Sequence, residues 1–82
     1  MYRVDCDRFA RNLEAEIKRR GMTYTGLARR MDTSYETIKN WLTKRYIPNA
    51  VSLYRLSKAL GIPMERLLKG VIVSESGGEA KS

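Results

Sequence analysis

The strongest constraint on this chain is its punctuation: caps, glycines and prolines cut it into short amphipathic runs. Within each run apolar residues recur at three- and four-residue spacing, the signature of helices with one buried side. Phe9, Leu13 and Ile17 stand four apart, with Asp5 or Asp7 placed to cap the run and Gly21 to stop it. Thr23 opens a second helix through about Met31, burying Leu27, Ala28 and Met31, and Asp32-Thr33 follows as a tight turn. Ser34 caps a third, whose apolar stripe is Ile38, Trp41 and Leu42. After a loop from Lys44 to Asn49 that Pro48 ends, Ser52 is the expected cap of a fourth helix. This helix turns Leu53, Leu56, Ala59 and Leu60 inward and stops at Gly61. Pro63 suits the first turn of a fifth, with Met64, Leu67 and Leu68, closed by Gly70. Val71-Ile72-Val73 is an isolated β-prone triplet, and the remainder to Ser82 is mostly glycine, serine and charge. The expectation is a compact all-α domain of five helices over residues 1–70. A flexible tail over 71–82 follows, with a short strand at 71–73 and then disorder.

What the chain lacks narrows its chemistry. It has no histidine and a single cysteine, Cys6, so His-based triads, His-ligated metals, thiolate zinc sites and internal disulfides are excluded. Carboxylates are scattered among caps and helix faces without a nucleophile–base pair, so no enzyme, cofactor or metal site is expected. Charged residues break every apolar run, which argues against a signal peptide or a membrane span and for a cytoplasmic protein.

The charge balance points towards phosphate. The net charge is +7, and eight of the basic residues fall between Lys18 and Tyr46. Only Asp32 and Glu36 oppose them there, leaving +6 on that stretch. A cationic surface of this kind attracts nucleic acid. Part of it has a local purpose: Lys18, Arg19 and Arg20 close a helix at its negative end, and Glu14 stands four residues before Lys18.

Two short helices joined by a four-residue turn, the second with a polar outer side, suggest a helix-turn-helix over about residues 23–42. The run Met22–Leu42 resembles that motif in the phage repressor family, the Cro and lambda-repressor-like proteins of XRE type. The likeness lies in Leu27-Ala28, Ser34 at the start of the recognition helix, the Thr37-Ile38 pair and Trp41. Pro48, the Leu53/Leu56/Ala59-Leu60-Gly61 pattern and Leu67-Leu68 extend it over most of the chain. Three positions depart from the pattern: Asp32 stands where glycine is usual, Thr33 where an aliphatic residue is usual, and Lys44 where glycine often follows the recognition helix.

The resemblance implies a sequence-specific regulator of double-stranded DNA, a repressor acting as a homodimer on a two-fold operator, in bacterial or phage biology. Base contacts would come from Tyr35, Glu36, Thr37, Lys39 and Asn40. Phosphate contacts would come from Thr23, Tyr24, Ser34, Lys44, Arg45 and Tyr46. Such a protein is nucleoid-associated through its DNA. The alternative is an antitoxin-type module whose segment from Val71 onward docks on a protein partner, with DNA binding reserved for autoregulation.

Overall fold

The computed structural model describes residues 1–43 and 46–74. The elements run β1 (Tyr2–Val4), α1 (Cys6–Arg19), α2 (Tyr24–Arg30), α3 (Tyr35–Thr43), α4 (Ala50–Leu60), α5 (Met64–Leu68) and β2 (Ile72–Ser74). The five helices stand where the apolar periodicity sets them. Among the described residues no helix is long and apolar enough to cross a membrane.

Capping fixes most of the boundaries. The Asp5 carboxylate accepts from Arg8 N at 3.0 Å and the Thr23 hydroxyl from Gly26 N at 2.9 Å, starting α1 and α2 as expected. The cap of α4 is Asn49 and not Ser52: Asn49 Oδ1 accepts from Ser52 N at 2.9 Å, so Ser52 already lies inside the first turn. Asparagine caps as well as serine, and Asn49 has the extended backbone that a cap requires. Pro63 stands just before α5, at its N-cap, where its missing N–H costs nothing.

Three helices end in one way. Gly21, Asp32 and Gly61 take left-handed backbone, with φ of 65°, 57° and 68°. At each, the next residue's N–H reaches back five residues: Met22 to Ile17 O, Thr33 to Ala28 O, and Ile62 to Ser57 O. This double closure satisfies the last helical carbonyls and turns the chain sharply. Asp32 therefore does adopt the conformation that glycine would take without steric cost. Ile62 is buried after its turn, whereas Thr33 is only half-buried.

Phe9, Leu13, Leu27, Ile38, Leu56 and Leu67 form the centre of the core, all fully buried. Each comes from a helical stripe, and all five helices contribute. Asn12 locks the ends together: its Nδ2 donates to Leu67 O at 2.8 Å and to Lys69 O at 2.9 Å, tying α5 to α1. Such bonds satisfy terminal carbonyls that a five-residue helix cannot satisfy itself.

The β-prone triplet is not isolated. β2 pairs antiparallel with β1 in the register Tyr2↔Ser74, Arg3↔Val73 and Val4↔Ile72, and Asp5 N extends the ladder to Val71 O at 2.8 Å. The strand begins one residue later than expected because Val71 is drawn entirely into the core. Nothing in Tyr2-Arg3-Val4 reads as a strand alone; it becomes one because the closing segment offers it a partner. The expected tail beyond Ser74 lies outside the described residues.

Candidate nucleic-acid interface

Helix α3 is held from behind and open in front. Ile38 is fully buried, and Trp41 and Leu42 nearly so, which fixes the helix against the body with little rotational freedom. α2 packs across it, with Ala28 at 3% exposure where a larger side chain would force the pair apart. Trp41 is therefore a core residue and no stacking platform. The opposite side carries Tyr35, Glu36 and Lys39 exposed, with Thr37 and Asn40 half-buried beside them. Glu36 and Lys39 make no ion pair among the described residues. The five expected base-contact residues thus lie within two turns of one helix, though Thr37 is partly occupied.

The occupation is local capping. Ser34 Oγ accepts from Thr37 N at 3.2 Å and lies 3.0 Å from Thr37 Oγ1, so the two hydroxyls close the first turn on each other. Glu36 sits in that turn, where the positive end of the helix favours a carboxylate. At the far end Thr43 Oγ1 donates to Lys39 O at 2.8 Å.

The two helix starts of the motif are joined by an aromatic pair. The Tyr24 and Tyr35 rings lie 6.2 Å apart at 34°, close enough for a favourable tilted contact that steadies Tyr35, 46% exposed at the head of α3. The Tyr24 phenol is pushed above its ordinary value of 10.0. Partial burial leads, followed by the Glu14 carboxylate, the neighbouring Tyr35 and the hydrogen bond to Glu14. Its proton is thus held towards α1. Thr23 and Ser34 are exposed and Tyr46 half-exposed, while Lys44 and Arg45 lie outside the described residues.

Gly26 has a use here that its low helix propensity hides. A Cβ on it would stand 3.2 Å from Thr23 Oγ1, crowding the cap that starts α2.

One site went unread in the sequence. Glu16 is buried at 3% exposure, on the side of α1 that carries Leu13 and Ile17. Its Oε2 lies 3.1 Å from Arg19 and 3.8 Å from Arg66, and its Oε1, which makes no hydrogen bond, faces Arg20 Nε at 3.9 Å. Lys18 reaches Glu14 at 3.9 Å. The basic cluster at residues 18–20 is therefore partly neutralised by α1 itself, which lessens its share of the cationic surface, while Arg66 ties α5 to the same Glu16. The readable signal was position: three residues after Leu13, a glutamate falls on the apolar stripe.

A short helix pinned by its apolar side, with a second helix across it and a tight left-handed turn between them, defines a DNA-binding helix-turn-helix protein. Its amino-acid pattern agrees: the chain belongs to the helix-turn-helix family HTH_3, whose model matches residues 13–67. It is thus a DNA-binding transcriptional regulator of the XRE, lambda-repressor-like type. No curated protein matches it in sequence. Among solved structures it resembles the restriction-modification controller protein C.AhdI from Aeromonas hydrophila. That match has a TM-score of 0.71 and 18% identity over 76% of this chain and 94% of that one. It also resembles the P22 c2 repressor protein, solved in complex with synthetic operator 9T, at 0.68 and 29% identity over the same shares of each chain. Hydroxypropylphosphonic acid epoxidase from S. wedmorenis shares the helical fold at 0.72 and 21% identity, over 79% of this chain but 35% of that one. The likeness to this enzyme is thus confined to part of it.

Proposed function

We propose that the protein is a sequence-specific repressor that binds double-stranded DNA as a homodimer, with α3 in the major groove. The observation that carries this reading is α3 itself: apolar behind and polar in front, with Tyr35, Glu36 and Lys39 exposed and Asn40 half-buried on the side that would meet base edges. The 29% identity to a repressor solved on an operator supports it. In this reading Asn40 pairs bidentately with adenine, Glu36 accepts from a cytosine amino group, and Tyr35 or Thr37 meets a thymine methyl, with Lys39 beside them. Thr23, Ser34 and Tyr46 meet phosphate, as do Tyr24, Lys44 and Arg45. One such helix covers few base pairs, so discrimination against a genome requires a pair of half-sites, and hence two copies. In the antitoxin alternative the segment from Val71 onward docks on a protein partner; β2 is hydrogen-bonded to β1 along one edge, so any partner strand would have to add to the other.

Selection from a random duplex library tests the reading. A two-fold motif is expected, with Asn40→Ala weakening binding to it about 10- to 100-fold, the equivalent of about 1–3 kcal/mol, while binding to unrelated duplex is unchanged. A steep salt dependence with no enriched motif would mean that the cationic surface binds phosphate generally and that α3 reads nothing.

A further inference from the structure

A groove of about 590 Å³, open to solvent, lies between the C-terminal end of α2 and the outer side of α4. That volume falls among ligand-binding clefts, which run from about 300 to 1,000 Å³. The buried Met31 and half-buried Ala59 give it an apolar base, and Tyr54, 55% exposed, adds an aromatic ring. Val51, three residues before Tyr54 and 61% exposed, continues the apolar strip along α4. Arg30, Arg55 and Lys58 also line the groove, all exposed, and none makes an ion pair among the described residues. Against these three cations stands one carboxylate, Asp32, which leaves +2 on the lining.

Two of the cations are steadied in place. Arg30 Nη1 donates to Ala59 O at 3.2 Å, and Lys58 Nζ lies 5.3 Å from the centre of the Tyr54 ring. Each keeps further donors for a ligand, since a guanidinium has five and an ammonium three.

We propose that this groove binds an acidic segment of a partner protein. The segment's carboxylates meet Arg55, Lys58 and Arg30, and an apolar side chain beside them seats against Tyr54 and Met31. Charge complementarity selects an acidic occupant. The lining selects a peptide over nucleic acid: tyrosine, methionine and arginine are enriched at protein–protein interfaces, whereas a phosphate backbone has no apolar group to cover the base of the groove. Among the described residues, none from α3 lines it, nor does any proposed phosphate contact. Asp32 selects a peptide over a simple anion. A free phosphate meets the repulsion of this carboxylate within the same small space. A peptide aims its own carboxylates at Arg55 and Lys58 and turns a backbone N–H towards Asp32. The site stands independently of the DNA-binding reading and adds to it a surface through which a regulator meets a second protein.

Selection of random short peptides displayed on phage, panned on the full chain, tests the proposal. The recovered peptides should share several carboxylates beside an aromatic or aliphatic residue. The best of them, synthesised free, should bind with a Kd of about 10–100 µM and lose affinity as salt rises. It should also shift the amide resonances of Arg30, Tyr54 and Lys58. Arg55→Gln combined with Lys58→Gln keeps good helix formers at exposed positions and should weaken binding about fivefold. Tyr54→Ala should weaken it at least about threefold, a loss that charge alone does not give. Circular dichroism verifies folding of both variants. Duplex binding by the glutamine double variant should keep the wild-type salt slope; a slope shallower by about two would place these cations on phosphate and overturn the inference. Recovery of peptides without acidic residues overturns it, as does an acidic peptide that either variant binds as tightly as the wild type. So does inorganic phosphate, should about 10 mM of it produce the same resonance shifts.

Discussion

Asn12→Ala tests whether the short fifth helix is held by hydrogen bonds or by burial alone. Asn12 Nδ2 serves two carbonyls at the end of α5, Leu67 O at 2.8 Å and Lys69 O at 2.9 Å, and its Oδ1 accepts from Arg8 Nε at 3.3 Å. The bond to Leu67 O is half-buried, and losing it strands a carbonyl that water reaches poorly, costing about 1–2 kcal/mol. The bond to Lys69 O is exposed and costs about 0.5 kcal/mol. Alanine inside α1 returns about 0.5 kcal/mol of helix propensity. The net loss is therefore about 1–2 kcal/mol, which lowers Tm by roughly 5–15 °C in a domain this small. Urea unfolding followed by circular dichroism measures it, with Arg8→Ala as the internal comparison, expected to cost under about 0.5 kcal/mol because its bond is long and exposed. Equal losses in the two variants, or an Asn12→Ala loss under about 0.5 kcal/mol, would show that the Asn12 donors do not hold α5.

Four further outcomes follow from the structure. Thr23→Ala removes the side-chain acceptor for Gly26 N and costs about 1 kcal/mol in the same unfolding assay. Ile38→Ala empties a fully buried position behind α3; a loss of about 2–4 kcal/mol is expected, and a loss below about 1 kcal/mol would mean that α3 is not anchored there. Alkaline titration followed by tyrosine absorbance should show a phenol titrating above the ordinary value of 10.0, and Tyr24→Phe should remove it. Because the folded state holds this proton more tightly than the unfolded chain, the corresponding stability is complete below about pH 10 and is lost as pH rises beyond it. Gly26→Ala gains helix propensity but brings a Cβ to 3.2 Å from the Thr23 hydroxyl, so its unfolding midpoint should rise only in a Thr23→Ala background, where the crowding is relieved.

The helices and their closures were open to sequence reasoning because each depends on neighbours a few residues away. Spacing identified Phe9, Leu13 and Ile17 as one stripe, and Gly21 and Gly61 as stops, since a left-handed residue after a helix is a local requirement. The exposed side of α3 was equally legible: once Ile38 and Trp41 are assigned to the core, the geometry of the helix leaves Tyr35, Glu36 and Lys39 outside. The cap of α4 was misplaced because Asn49 and Ser52 are both good caps, and which of them serves depends on where the chain leaves the preceding loop.

Tertiary structure decided the matters that join distant segments. Tyr2-Arg3-Val4 has no intrinsic signal strong enough to name it a strand; residues 72–74 make it one from the far end of the chain. Asn12 looked like an unremarkable helix residue until α5 ended within reach of its amide. Glu16 stood on an apolar stripe within reach of its helical neighbours Arg19 and Arg20, yet only folding brought Arg66 of α5 to the same carboxylate. Local interactions are set by sequence separation and can be read from spacing. Long-range ones exist only after burial of the core has determined which side chains meet, and the sequence carries that information collectively, in no single residue.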